Sequence, residues 1–276
     1  MHRRLLLSLL AVLPALAGAE CRYTADRNFD VPASGLTALE FDLGSSDLIV
    51  EGVPGLAQVE VRGRACASDQ AWLPELTVDQ HRSGDRLVIT PHDGHDLHIN
   101  NWFGSNYAYV DLRVRAPAKL AATIKSASGD AEARNLAAVD FDTSSGDIDV
   151  AHIAGDLRLE VSSGDARGED IGRADIRRTS SGDIRLRNVH GPVEVGSAGS
   201  GDITLDGVGS VNIGSVGSGD IRVADAAGDV SVDSIGSGDV TVDGVGGNFR
   251  VGSRGSGDVD HRNVRGTVSV PRDNDD

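Results

Sequence analysis

Ser200-Gly201-Asp202-Ile203-Thr204-Leu205 is followed by Ser218-Gly219-Asp220-Ile221-Arg222-Val223 and then by Ser237-Gly238-Asp239-Val240-Thr241-Val242. A polar corner leads each time into an apolar, polar, apolar alternation, the pattern of a β-strand with one face inward and one in solvent. Working outward, Ser-Gly-Asp is written eight times, with Asp at 130, 147, 165, 183, 202, 220, 239 and 258 and steps of 17 to 19 residues. A unit this short cannot enclose a core, so each must bury its apolar face against the next, the logic of a stacked solenoid. Eight phased units argue against the alternative, an antiparallel β-sandwich with accidental repetition.

Counting from each Asp fixes the register. One residue on stand Ala131, Ile148, Ala166, Ile184, Ile203, Ile221, Val240 and Val259, and six on stand Leu136, Ile153, Ile171, Val189, Val208, Ala226, Val245 and Val264. A second alternating pair closes the unit, as in Val211/Ile213 and Val230/Val232. Two strands and two turns per coil follow, with the length drift confined to turns so that strand parity is kept. The glycine of the corner is expected to supply a positive φ. The fold class predicted is all-β, a parallel β-solenoid of about 18-residue coils with an irregular β N-terminal cap.

Upstream, His2, Arg3 and Arg4 precede the apolar run Leu5 to Leu13 and the A-x-A site Ala17-Gly18-Ala19, the pattern of an export signal over residues 1–19. The run is too short for a membrane span, so no transmembrane segment is expected after cleavage. Residues 20–120 read as a β capping region, with strands at Leu39 to Leu43, Leu48 to Val53, Val59 to Arg64, Leu76 to Gln80, Leu87 to Thr90 and Tyr109 to Arg115. Gly44-Ser45-Ser46-Asp47 and Ser83-Gly84-Asp85 echo the corner. Residues 121–270 form the solenoid proper and 271–276 an acidic tail that discourages further stacking. Cys21 and Cys66 both fall in the cap, and an oxidising compartment would let them pair.

Composition narrows the function classes. The formal charge is −16 and aromatics are 4%; such acidity argues against nucleic-acid binding, which needs basic patches to neutralise phosphates. Periplasmic or secreted localisation in a bacterial envelope is the expectation.

The exported start, the segment Val110-Asp111-Leu112-Arg113-Val114-Arg115-Ala116-Pro117 leading into Ser128-Gly129-Asp130, and the chain of Ser-Gly-Asp-Ile units together resemble the bacterial putative-adhesin family of β-strand-repeat proteins. The resemblance covers residues 36 to 270. It implies a repeat fold with an adhesin-like role and brings no catalytic residues.

Three features could carry chemistry. Stacked corners would set the Asp residues in a column at about 4.8 Å spacing, where Ca²⁺ could relieve their repulsion, with Asp183, Asp202, Asp220 and Asp239 as candidate ligands. Against this, the apolar residue follows the Asp directly and the opposite turn lacks a matching oxygen set, so capping of its own turn by each Asp is the competing expectation. His92, His95 and His98, interleaved with Asp93 and Asp96, could hold Zn²⁺ or Cu²⁺, although their spacing matches no established motif. Trp102, Phe103, Tyr107 and Tyr109 could form a sugar- or protein-binding anchor, or else plug the solenoid end.

No G-x-S-x-G, H-E-x-x-H, P-loop or dinucleotide fingerprint is present, and no cofactor is implied. The function expected is that of an exported non-catalytic adhesin-like solenoid whose partner is an envelope protein or glycan. The alternatives are a calcium-binding repeat module and a polysaccharide-active β-helix enzyme.

Overall fold

The computed structural model describes residues 21–93 and 106–271. The expected signal segment, His95, His98, Trp102, Phe103 and the tail from residue 272 lie outside the described residues. Coils of about 19 residues stack into a parallel β-solenoid of about eight turns. From Ala131 onward each coil runs through two ladders, as a pair of strands or, at Ile148–Val161 and Ala166–Thr179, as one continuous strand. Ile184, Ile203, Ile221 and Val240 follow one another in register along the first, and Val193, Val211, Val230 and Phe249 along the second. These inward positions are buried, Ile203, Ile221 and Val240 completely, and their outward neighbours Arg222 and Thr241 are exposed. The two-residue alternation thus does here what it does in any half-buried strand, repeated until the interior is one continuous apolar column.

The corner corrects one expectation. The Ser-Gly-Asp glycines do not adopt positive φ; that region is occupied five residues after each Asp, by Asn135, His152, Asp170, Asn188, Gly207, Asp225, Gly244 and Asn263, with φ between 51° and 75°. Asn, Asp and Gly dominate this column, Gly because it has no Cβ to clash and Asn and Asp because their short polar side chains tolerate the left-handed region. The corner glycine is required for closeness instead. A methyl group on Gly201, Gly219 or Gly238 would overlap the carbonyl oxygen of the corner glycine one coil before, so only hydrogen fits where the backbones stack.

Among the described residues nine strands precede the regular repeats: β1 (Tyr23–Asp26), β2 (Phe29–Pro32), β3 (Ala38–Asp42), β4 (Leu48–Val53), β5 (Gln58–Ala67), β6 (Thr77–Ser83), β7 (Arg86–His92), β8 (Ala108–Pro117) and β9 (Ala121–Ser126). The parallel stack does not begin at residue 121. β4 lies between β8 and the strand Ala131–Arg134, and β3 lies between β7 and β9, all parallel. The coil made by β3 and β4 is therefore inserted between coils formed later in the chain. Beyond β8 the first ladder continues antiparallel into β5, which carries β1 and β2 on its other edge; beyond β7 the second continues antiparallel into β6. Ser83-Gly84-Asp85 is the tight turn of the β6–β7 hairpin, with Gly84 at φ +65°, and not a ladder corner. A short 3₁₀ helix, Gln70–Glu75, presents Trp72 and Leu73 to the core, and Arg27 donates to the carbonyls of Leu73 and Leu76 at 2.6 Å each, tying off its last turn.

Candidate functional site

The acidic column is the most regular polar feature, and its geometry assigns it a structural task. The backbone N–H of each corner Asp donates to Oδ1 of the corner Asp one coil earlier, from Asp130 on Asp47 through Asp258 on Asp239, at 2.7–3.0 Å. Each carboxylate serves the next coil, not its own turn as expected from the sequence. Arginines neutralise several Oδ2 atoms: Arg185 on Asp183 at 2.9 Å and Arg222 on Asp220 at 3.0 Å. The Asp202 backbone N–H, with Arg185 second to it, holds the Asp183 carboxyl below the usual carboxylate range. Of the four candidate calcium ligands, Asp183, Asp202, Asp220 and Asp239, each thus has one oxygen committed to backbone. Among the described residues no group of three or more His, Cys, Asp or Glu is arranged to hold a metal ion.

His92 ends β7 and meets Asp79 Oδ2 at 3.1 Å. A different histidine arrangement went unnoticed in the sequence: exposed Asp170 bridges His152 Nδ1 and His190 Nε2, both at 2.7 Å, linking three successive coils. These two contacts, His152 first, lower the Asp170 pKa. The residues fall at two offsets of the repeat, so only the stacked register brings them together.

Tyr107 and Tyr109 do lie together, ring centroids 6.1 Å apart, at the start of β8. The Tyr107 hydroxyl accepts from the Arg22 N–H at 3.0 Å, and Tyr109 stands opposite Cys66, which is disulfide-bonded to Cys21 with a Cα–Cα distance of 5.7 Å. On the same outward face of β8, Tyr109 is followed by Asp111, Arg113 and Arg115. Across the ladder Arg64 stands opposite Asp111, Arg62 opposite Arg113 and Glu60 opposite Arg115, while on the other side Ile49 meets Arg113.

Between these rows lies a cleft of about 440 Å³, lined by Asp26, Asn28, Asp47, Ile49, Arg64, Asp111 and Arg113 among others. Burial, and secondarily the nearby Asp47 carboxylate, pushes the Asp111 carboxyl above its usual range against the opposing pull of Arg64 and Arg113. Burial likewise raises Tyr109, with Asp111 and then Tyr107 adding to it. Arg62 is held by Asp30 at 2.6 Å, but neither the Arg64 nor the Arg113 guanidinium donates a hydrogen bond to a described residue. A second groove of the same volume lies among Arg134, Arg167, Arg185 and Arg187, where Arg134 is paired with Glu132 at 2.6 Å and Arg185 with Asp183. Of these two grooves, the first combines a half-buried carboxylate of raised pKa with guanidiniums that donate to no described residue, and this departure from regularity makes it the candidate site.

Residues 74–209 match the family model Toastrack DUF4097, and residues 188–269 match Putative auto-transporter adhesin, head GIN domain. No curated protein matches. A putative lipid binding protein from Parabacteroides distasonis, solved by crystallography, has 17% identity and a TM-score of 0.56, covering 91% of this chain and 98% of its own. A putative adhesin from the same species has 13% identity and a TM-score of 0.41, covering 90% and 96%. The first likeness agrees with the fold. The two models between them span residues 74 to 269, and over that stretch the chain is similar to the putative-adhesin families of β-strand-repeat proteins.

Proposed function

We propose that the chain is an exported, non-catalytic adhesin-like solenoid that serves as an interaction surface in the bacterial cell envelope. The observation that carries this is the acidic column: carboxylates that an enzyme or ion-binding repeat would turn toward a ligand are committed, coil after coil, to the backbone of the next coil. The repeats therefore build a rod, and what varies is displayed on its outside. Pairing of Cys21 with Cys66 fits an oxidising compartment, as does the basic, apolar and A-x-A order of residues 2–19.

Fractionation of bacteria producing the full chain tests the reading. Recovery in periplasm, envelope or medium, with a new N-terminus near Glu20 by mass spectrometry and no free thiol, is the expected result. Retention in the cytoplasm with residues 1–19 intact would overturn it.

A further inference from the structure

We infer that the cleft on the outer face of β4, β8 and β5 is a binding site for a neutral sugar unit. The inference rests on the reading of this chain as an interaction surface and names what that surface takes. Its charges nearly balance, with Asp26, Asp47 and Asp111, and Asp30 on Arg62, against Arg62, Arg64 and Arg113, so neither a free anion nor a free cation is strongly favoured by net field.

What the cleft does offer is alternating hydrogen-bond capacity. The Asp111 carboxylate accepts, and the guanidiniums of Arg64 and Arg113, which donate to no described residue, flank it. Vicinal hydroxyls, each both donor and acceptor and spaced like adjacent carboxylate and guanidinium groups, satisfy both kinds at once. Ile49, 36% exposed beside Arg113 and lining the cleft, adds apolar surface suited to the C–H face of a pyranose. The raised Asp111 pKa fits a carboxyl kept partly dry before any ligand arrives, so that its hydrogen bonds to a hydroxyl face less competition from water. Asp111 and Arg64 are brought together only by the antiparallel pairing of β5 with β8.

The test is a printed array of neutral, amino and acidic glycans probed with the purified full chain, repeated with Asp111→Asn, Arg64→Met and, in the other groove, Arg187→Met. Binding to neutral glycans that falls roughly ten- to a hundredfold with Asp111→Asn and Arg64→Met, and is unchanged with Arg187→Met, is expected. Unchanged circular dichroism would show that the variants fold. Absence of glycan binding, binding confined to acidic glycans, or binding indifferent to Asp111 and Arg64 would overturn the inference. The two proposals fail separately: a chain that binds neutral sugars yet stays in the cytoplasm loses only the export reading, and an exported chain that binds none loses only this one.

Discussion

The backbone N–H of Asp202 donates to Oδ1 of Asp183 at 3.0 Å, across the gap between two coils. Because the same bond recurs from Asp130 to Asp258, the corner is stitched by carboxylates where ordinary parallel ladders rely on carbonyl oxygens alone.

Replacing Asp183 by Ala removes the acceptor for that N–H and should cost about 1–3 kcal/mol, the desolvation penalty of an unmet donor. Asp183→Asn keeps an oxygen in the same place and should cost less than half of that. Urea denaturation of the two variants measures the difference; equal losses would show that the carboxylate acts through charge and not through the bond.

Glycine matters differently at two columns. Gly219→Ala forces a methyl into the Gly201 carbonyl and should destabilise by about 3 kcal/mol or more. Gly207→Asn places in the left-handed region a residue that three other coils already use there, at Asn135, Asn188 and Asn263, and should change stability by less than about 1 kcal/mol. Thermal melting of both proteins is sufficient to rank them.

Acid should weaken the rod. The Asp183 carboxyl titrates below its usual value because the Asp202 N–H and then Arg185 favour its charged form. Its contribution is present above the unfolded carboxylate pKa of about 3.9 and is lost as pH falls through the lower folded value. Asp170, lowered by His152 and then His190, acts in the same direction. The melting temperature should therefore drop as pH is taken from about 5 to about 2, less steeply in Asp183→Asn.

Asp111 has the opposite sign. Its folded pKa is raised, so whatever stability it contributes is complete below the unfolded value and is lost as pH rises through the folded one. Asp111→Asn should accordingly stabilise the protein at neutral pH by roughly 0.5 kcal/mol, discounted for the solvent that reaches this half-buried group. The gain should vanish near pH 3. A variant that is more stable and binds less would mark Asp111 as kept for use at the expense of the fold.

Opening the disulfide with Cys66→Ser frees a loop with a sequence separation of 45 and should cost about 2–4 kcal/mol. The loss should appear in the unfolding midpoint with the circular dichroism of the remaining coils retained.

The solenoid was legible because a two-residue alternation repeated in phase leaves few ways to bury its apolar face, and Ile203, Ile221 and Val240 are buried as their spacing demands. What the corner residues do was harder to see. Gly201 looks alike in sequence whether it serves a turn or a close approach, and only the carbonyl of Gly182 beneath it decides. The left-handed column from Asn135 to Asn263 was written in the sequence as Asn, Asp, His or Gly at a fixed offset, a recurrent signal that period-two reading passes over. The cleft was not legible: Asp111 and Arg64 are 47 residues apart and ordinary in type, joined by antiparallel pairing that no local pattern announces, while Tyr107 and Tyr109, which stood out by composition, do not line it.

The coil of β3 and β4, set between partners that come later in the chain, has a kinetic consequence. As the polypeptide emerges N-terminus first, Leu48 waits for Leu112 on one edge and for Ala131 on the other, so this layer cannot finish when its own residues arrive. Assembly that simply winds turn upon turn from the first residue is ruled out by such threading; closure of the N-terminal end is a long-range, late event. Its speed, more than that of the repetitive rod behind it, should govern how long unpaired strand edges stay open to wrong neighbours.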